Sequence, residues 1–358
     1  MPAKPRRAWR SASGALLATA FLAAAGHSAG WFWLCDRLEE GFATWAAIRR
    51  AEGWRVEHGP PRRGGWPFSA SLVLPGFRLE GGAGLLPGGV DWRTEGLALR
   101  VSPPRLDRLA LEAPGRHRLR LGGTELPPFT ADRLDAALPL RSNGNGPPSE
   151  ANAVARSLRF GAVEVASASV DFDARPEGRD SANTLRASAA GVALPPGLPG
   201  TDRLGRVVDR IGLDLVLTGA VPPGGDPARR AAAWRDGGGG LEIRALDARW
   251  GEVAASAAAA LTLDGALQPA GAGTLRLTGG EALLEAAGGA GLLPPFTAAA
   301  AAFALRALSR PPQEGGPARA EVPLALRDRT LRLGPVVLGR LPALEWDAAR
   351  PGSRAVQP

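Results

Sequence analysis

The feature that most constrains this chain is a two-residue alternation of apolar with small or polar side chains, cut at short intervals by glycine and proline. It starts near Gly53 and continues almost to the C-terminus. Phe68, Ala70, Leu72 and Leu74 alternate, and after Pro75-Gly76 the pattern resumes at Phe77 and Leu79. It recurs at 97–101, at 109–111 and at 119–121, each run ended by glycine or proline. A period of two with turn punctuation specifies strands joined by tight turns. The 48 glycines and 33 prolines lack the three-residue period of collagen, and 45% hydrophobic residues exclude a disordered linker. At 358 residues the chain holds one large or two modest globular units.

The expected fold class is therefore mainly β (α+β): an N-terminal transmembrane helix, then a long curved antiparallel sheet or sheets with a few short helices. The punctuation divides the chain into a first β region at 53–140, a linker at 141–152, a second β-rich region with short helices at 153–350 and a tail at 351–358. The linker centres on Ser142-Asn143-Gly144-Asn145-Gly146-Pro147-Pro148. Within the second region, Thr201-Asp202 caps an amphipathic helix through Leu204, Val207, Val208 and Ile211. Asp226-Pro227 opens another through Trp234, stopped by the glycines at 237–240, and Pro294-Pro295-Phe296 leads into an alanine-rich helix ending near Ser309. Strands are expected at 241–250, 253–263, 274–278, 322–326, 331–333 and 336–338.

The first 52 residues read differently. Residues 1–10 form a basic tail with Lys4, Arg6, Arg7 and Arg10, and 11–35 carry no charge. As a helix, that stretch would be roughly 37 Å long against a hydrocarbon core of about 30 Å, so it is expected to be a transmembrane anchor. The basic tail places the N-terminus in the cytoplasm and the bulk of the chain in the periplasm, as a single-pass inner-membrane protein. Trp31, Phe32 and Trp33 fall where an interfacial aromatic belt belongs. A cleaved signal peptide competes, with small-residue sites at 23–29. Trp33, Leu38, Phe42, Trp45 and Ile48 continue an amphipathic helix over 36–52, which favours a retained anchor. Cys35, the single cysteine, has no partner for an intramolecular disulfide.

The charge is less telling than it looks. Half of the formal +8 lies in the first ten residues, and Lys4 is the only lysine. The remaining arginines alternate with leucines and carboxylates, as at Arg116, Arg118 and Arg120, instead of clustering as nucleic-acid binding requires. Catalytic signals are absent too. His27, His58 and His117 lack the spacing of metal ligands, no Walker lysine exists, and no GxSxG elbow occurs. Paired carboxylates at Glu39-Glu40 and at Asp171 with Asp173 read as solvated faces. The glycine cluster Gly81-Gly82-Ala83-Gly84 leads to no helix and reads as a turn. No enzyme, cofactor or metal is expected.

One local motif, Gly64-Gly65-Trp66-Pro67-Phe68, opens the first alternating strand, and its proline makes a rigid turn with aromatic faces available to cover a sheet end. The order of motifs is then informative. A span ending in Trp31-Phe32-Trp33 precedes Gly53-Trp54, then Gly65-Trp66-Pro67-Phe68. Val322-Pro323-Leu324 and Leu331-Arg332-Leu333-Gly334-Pro335 follow, before Leu341-Pro342. This order resembles the bacterial family called domain of unknown function 2125, over most of the chain. Asp328-Arg329-Thr330 stands where that family usually has a glycine-bearing turn.

A broader resemblance comes from 261–277, where a strand, Asp264-Gly265, Gly273 and a second alternating strand are similar to repeats of the AsmA-like envelope proteins. That resemblance implies an inner-membrane anchor, a curved sheet, a lipid groove and a part in phospholipid transport. Two readings follow. In the first, a non-enzymatic envelope-maintenance protein binds or carries phospholipid along an apolar groove. In the second, a structural or assembly factor binds another envelope protein by its sheet edge.

Overall fold

The computed structural model describes residues 6–82, 88–140, 149–175, 182–198, 200–222, 226–289, 299, 302–303, 309–310 and 319–346; the side chains of 6–16, 175, 285–287 and 310 lie outside the description. Most of the 141–152 linker, most of the alanine-rich helix expected before Ser309, the start of the basic tail and the 351–358 tail lie outside the described residues.

Helix α1 (Arg6–Ala51) joins the two expected helical segments into one of 46 residues. Its composition is rich in alanine and leucine and free of proline, which favours an unbroken helix. It stops at Gly53, whose φ of 86° suits a left-handed C-terminal cap, with Trp54 N–H donating to Arg49 O at 2.9 Å.

The expected membrane crossing at 11–35 falls partly on residues 11–16, whose side chains lie outside the description. Among the described residues, no helix is long and apolar enough to cross a membrane. The segment 11–35 mixes alanine with Thr19, Gly26, His27, Ser28 and Gly30, and its last third packs on the protein's own sheet. Residues 17–27 are exposed, whereas Trp31 and Leu34 are partly covered and Cys35 is buried.

All the described strands belong to one antiparallel sheet of 21 strands. The first nine are β1 (Arg55–Glu57), β2 (Arg62–Gly64), β3 (Ala70–Pro75), β4 (Arg78–Gly81), β5 (Val90–Thr94), β6 (Gly96–Ser102), β7 (Arg105–Glu112), β8 (Gly115–Leu121) and β9 (Thr124–Glu125). Strand β10 (Phe129–Pro139) pairs with both β7 and β8, so it joins the two arms β2-β3-β6-β7 and β1-β4-β5-β8. From there the sheet is a true meander. Strands β11 (Glu150–Phe160), β12 (Val163–Arg175), β13 (Ala182–Ala193), β14 (Val207–Thr218), β15 (Gly240–Trp250), β16 (Val253–Leu263) and β17 (Pro269–Thr278) each pair with the next. Strands β18 (Ser309–Arg310), β19 (Arg319–Arg327), β20 (Thr330–Leu333) and β21 (Val336–Arg340) complete it, β19 pairing with both β17 and β18.

Short helices interrupt the meander. Helix α2 (Thr201–Leu204) is a single turn, and the expected continuation through Val207, Val208 and Ile211 is strand β14 instead. Gly205, at φ 88°, ends the helix, and the β-branched pair Val207-Val208 favours the sheet. Helix α3 (Pro227–Asp236) follows expectation: Asp226 accepts from Arg229 N–H at 3.0 Å, Pro227 sits in the first turn, and Gly237 caps the end. Helix α4 (Gly280–Gly289) follows β17. The Asp328-Arg329 turn between β19 and β20 puts both residues at positive φ, 49° and 62°, the two-residue hairpin geometry that glycine usually supplies.

Three buried clusters support the sheet. The first unites Ala46 of α1 with Val56, Leu72, Leu74, Phe77, Leu97, Leu99 and Ala113, joined by Leu38 and Phe42 of α1. The second gathers Phe129, Ala131, Ala155, Leu158, Val165, Val192 and Val208. The third places Leu204 of α2 and Ala282 of α4 on Val253, Leu277, Ala320 and Val322.

Candidate binding face

Cross-strand registers place apolar side chains opposite one another over most of the sheet. One row runs Leu72, Leu99, Leu111, Ala136, Ala153, Val170, Ala187, Leu213, Leu246, Ala257, Leu275 and Val322, one residue from each of twelve strands. At about 4.8 Å between neighbouring strands this row is roughly 50 Å long. Beside it lies a second row, Ala151, Phe172, Leu185, Leu215, Ile243, Ala259, Gly273, Leu324, Leu333 and Val336. Directly paired residues share a face, so the two rows make one apolar band.

The alternate positions carry polar and charged groups. Asn152, Asp171, Arg186 and Asp214 are successive cross-strand neighbours, with Arg186 Nε donating to Asp214 Oδ2 at 3.2 Å. Ser169 and Ser188 share a hydrogen bond at 2.9 Å, and Arg276 donates to Glu321 at 3.4 Å. A shallow hollow of about 350 Å³ on this side is lined by Arg108, Glu150, Asn152, Asp171 and Arg186.

Cover over the apolar band is uneven. At β3 and β6 it lies under α1, and Leu72, Leu74, Leu97 and Leu99 are buried. Over the middle of β12 to β15 the described residues cover it less. Val170 and Ile211 are each 41% exposed and Leu246 46%, while Phe172, Leu185, Leu213 and Leu215 are only partly buried.

Each side of the open band is closed by aromatic residues. On one side α3 leans over β14 to β16, with Trp234 Nε1–H donating to Thr218 O at 2.8 Å. Gly239 is needed there, because a Cβ on it would lie 2.3 Å from the Trp234 ring. The segment 341–346 crosses the same region, with Trp346 Nε1–H donating to Leu267 O and Leu344 N–H to Gln268 Oε1, both at 2.8 Å. Between them lies an apolar hollow of about 310 Å³, lined by Leu217, Leu241, Leu261, Leu263, Trp234 and Trp346 among others. That volume is at the small end of ligand pockets. On the other side, Trp250 packs against both the second and third clusters, its Nε1–H donating to Gly205 O at 2.7 Å.

The titratable groups do structural work at the α1-covered end. Asp91, buried between Arg78 and Arg93, accepts from both guanidinium groups, and these bonds pull its carboxyl down to about 2. His117 is fully buried in a run of rings, Trp92, His117, Phe129 and Phe160, and burial lowers its pKa. Among the described residues no group of three or more His, Cys, Asp or Glu could hold a metal.

The residues singled out by sequence lie together at the other edge of the covered end. Gly65, Trp66, Pro67 and Phe68 form the tip of the β2–β3 hairpin, with Phe68 N–H and Ser69 N–H donating to Gly65 O. Trp31 Nε1–H donates to Ser69 O at 2.8 Å and His27 Nε2 to Pro67 O at 2.6 Å, which ties the tip to α1. Phe32, Trp33, Trp66 and Phe68 face outward. Alternation in the sequence implies an apolar face, but only the neighbour relations of the strands set which residues form its rows.

A long single antiparallel sheet with one charged face, one partly uncovered apolar face and an N-terminal helix defines the class: a mainly β protein built around an extended apolar surface. The chain belongs to the family described as "Uncharacterized protein conserved in bacteria (DUF2125)", whose model matches residues 31–342. No curated protein and no solved structure matches the chain.

Proposed function

We propose that the protein is a non-enzymatic lipid-handling protein of the cell envelope, attached to the inner membrane through α1 with its sheet on the periplasmic side. A curved sheet would hold acyl chains along its apolar band, and no bond is made or broken. One observation carries this reading: the band continues across twelve strands, and over β12 to β15 its residues are only partly covered by the described residues. Exposed apolar surface of this extent costs stability in water, so a soluble fold retains it for a partner. Acyl chains suit it because the band is long, narrow and bare of hydrogen-bonding side chains. Arg186 alternates along β13 with Leu185 and Ala187 of the band, so by the strand period it projects from the other face.

The test is extraction of the purified full chain followed by lipid mass spectrometry, with vesicle-to-vesicle transfer as the activity. Co-purified phospholipid, lost on Leu213→Asp with Leu246→Asp in a folded protein, is expected. Absence of both lipid and transfer would end the proposal. The full chain is required, because cutting at residue 51 would strip Leu38, Phe42 and Ala46 from the first cluster.

A second reading, partner binding by strand addition, rests on β21. It pairs with β20 alone among the described strands, and Val337 and Leu338 are 50% and 44% exposed. Capture of a protein whose binding is abolished by Val337→Pro, with no lipid found, would favour it.

A further inference from the structure

We infer that the β2–β3 hairpin tip and the adjoining turns of α1 form one aromatic collar that docks on the interfacial layer of a lipid bilayer. The sequence separates these groups by more than thirty residues, yet two hydrogen bonds from α1 hold them at one level of the helix, His27 to Pro67 O and Trp31 to Ser69 O. The tip cannot turn its rings inward. Gly65 sits at φ 91°, where a Cβ would come 2.5 Å from Ser69 Oγ, and Trp66 and Phe68 stay 59% and 85% exposed. Phe32 and Trp33, 54% and 57% exposed, complete the collar from the helix.

The occupant follows from what lies on either side. Toward the N-terminus, every described residue from 17 to 27 is exposed, Leu17, Phe21 and Leu22 at 72%, 74% and 69%. Leu22 stands about 100° round the helix from Phe21, so the apolar surface is not one stripe that a single protein groove would cover. An uncharged helix with Leu17, Phe21 and Leu22 bare on more than one side belongs in a core or in lipid, and among the described residues no core reaches it. Toward the C-terminus, charge begins at once. Arg63 bridges Asp36 and Glu39 at 2.7 and 2.8 Å, and the Arg37 guanidinium lies 5.7 Å from the Trp33 ring centre. Rings at the boundary between an uncharged helix and an ion-paired one match the interfacial layer, where Trp and Arg are both at home. The collar would thus set the depth of α1 and the tilt of the sheet through a rigid hairpin.

The test uses the full chain with Cys35→Ala, reconstituted in phosphatidylcholine–phosphatidylglycerol vesicles and spin-labelled at Phe68→Cys, Phe32→Cys or, as the aqueous control, the exposed Asp209→Cys. The expected result is an oxygen-to-nickel-chelate accessibility ratio at 68 equal to that at 32 and several-fold above that at 209. A label at 68 as open to the nickel chelate as at 209 overturns the inference. So does a label shielded from both reagents, which would mark a protein contact. Trp66→Cys repeats the measurement should Phe68→Cys fail to fold. The ratio is read whether or not lipid co-purifies, so this inference and the carrier reading fail separately.

Discussion

Leu72 and Leu246 stand in the same cross-strand row of one sheet, yet Leu72 is 1% exposed and Leu246 46%. The side chains do not differ; the cover does. At β3 and β6 the C-terminal half of α1 brings Leu38, Phe42 and Ala46 down on the band, and the result is an ordinary close-packed core. Over β12 to β15 the band keeps its apolar pattern without a covering layer among the described residues. A sequence selected only for folding would replace solvent-facing leucines there with polar residues. The difference therefore separates apolar residues that hold the fold from apolar residues that the described part of the chain leaves half open.

The largest effect should come from the covered end. Leu74 is fully buried under α1, and Leu74→Ala is expected to cost about 2–5 kcal/mol in a urea unfolding titration of the full chain, as buried leucine truncations do. If it cost no more than a truncation in the open middle, the division of the band into core and open face would collapse.

Acid should discriminate between the two regions next. The depressed carboxyl of Asp91 lies at the covered end, so its contribution is complete above about pH 4 and is lost as pH falls through about 2. The displacement corresponds to about 2 kcal/mol. Thermal unfolding between pH 5 and 2 should show that loss, and Asp91→Asn should remove most of the slope. The ion pairs of the middle, such as Arg186–Asp214, are exposed on the arginine side and should add little.

A smaller cost is expected at a glycine inside the meander. Gly191 has φ 62°, and a Cβ there would lie 2.9 Å from Ala166 Cβ on the neighbouring strand. Gly191→Ala should destabilise by about 1–2 kcal/mol, from left-handed backbone and crowding together. Equal stability of variant and parent would mean that β12 and β13 can part locally.

How much of this was legible beforehand depends on the range of the interaction. Two-residue alternation is local, and it located β16 at 253–263 with the bounds observed. Helix α3 was equally readable from Asp226-Pro227 and the following glycines. Helix α2 misled, because Leu204, Val207, Val208 and Ile211 have helical spacing, yet strand pairing with β13 claims residues from Val207 onward. The apolar stretch 11–35 could not show that its end would pack on the hairpin tip, since Trp31 and Ser69 meet only through the fold. The rows of the band have the same cause. Alternation says that Leu213 and Leu215 share a face, but only the registers reveal that Val170, Ala187, Leu213 and Leu246 continue one line.

The smallest effect on stability is also the most informative. Leu246 is nearly half exposed and Leu213 only partly buried, so truncating either to alanine removes little buried area and leaves little cavity. At about 25 cal/mol per Å² of apolar surface, a half-exposed leucine should cost below about 1.5 kcal/mol. Such a variant should unfold almost as the parent does while retaining less lipid, since a bound acyl chain would touch these side chains in place of water. Stability and lipid content would then move independently in the middle and together at the covered end, where losing Leu74 loosens the fold itself. Should Leu246→Ala instead cost as much as Leu74→Ala, the middle must be covered in solution, and the band would be core throughout.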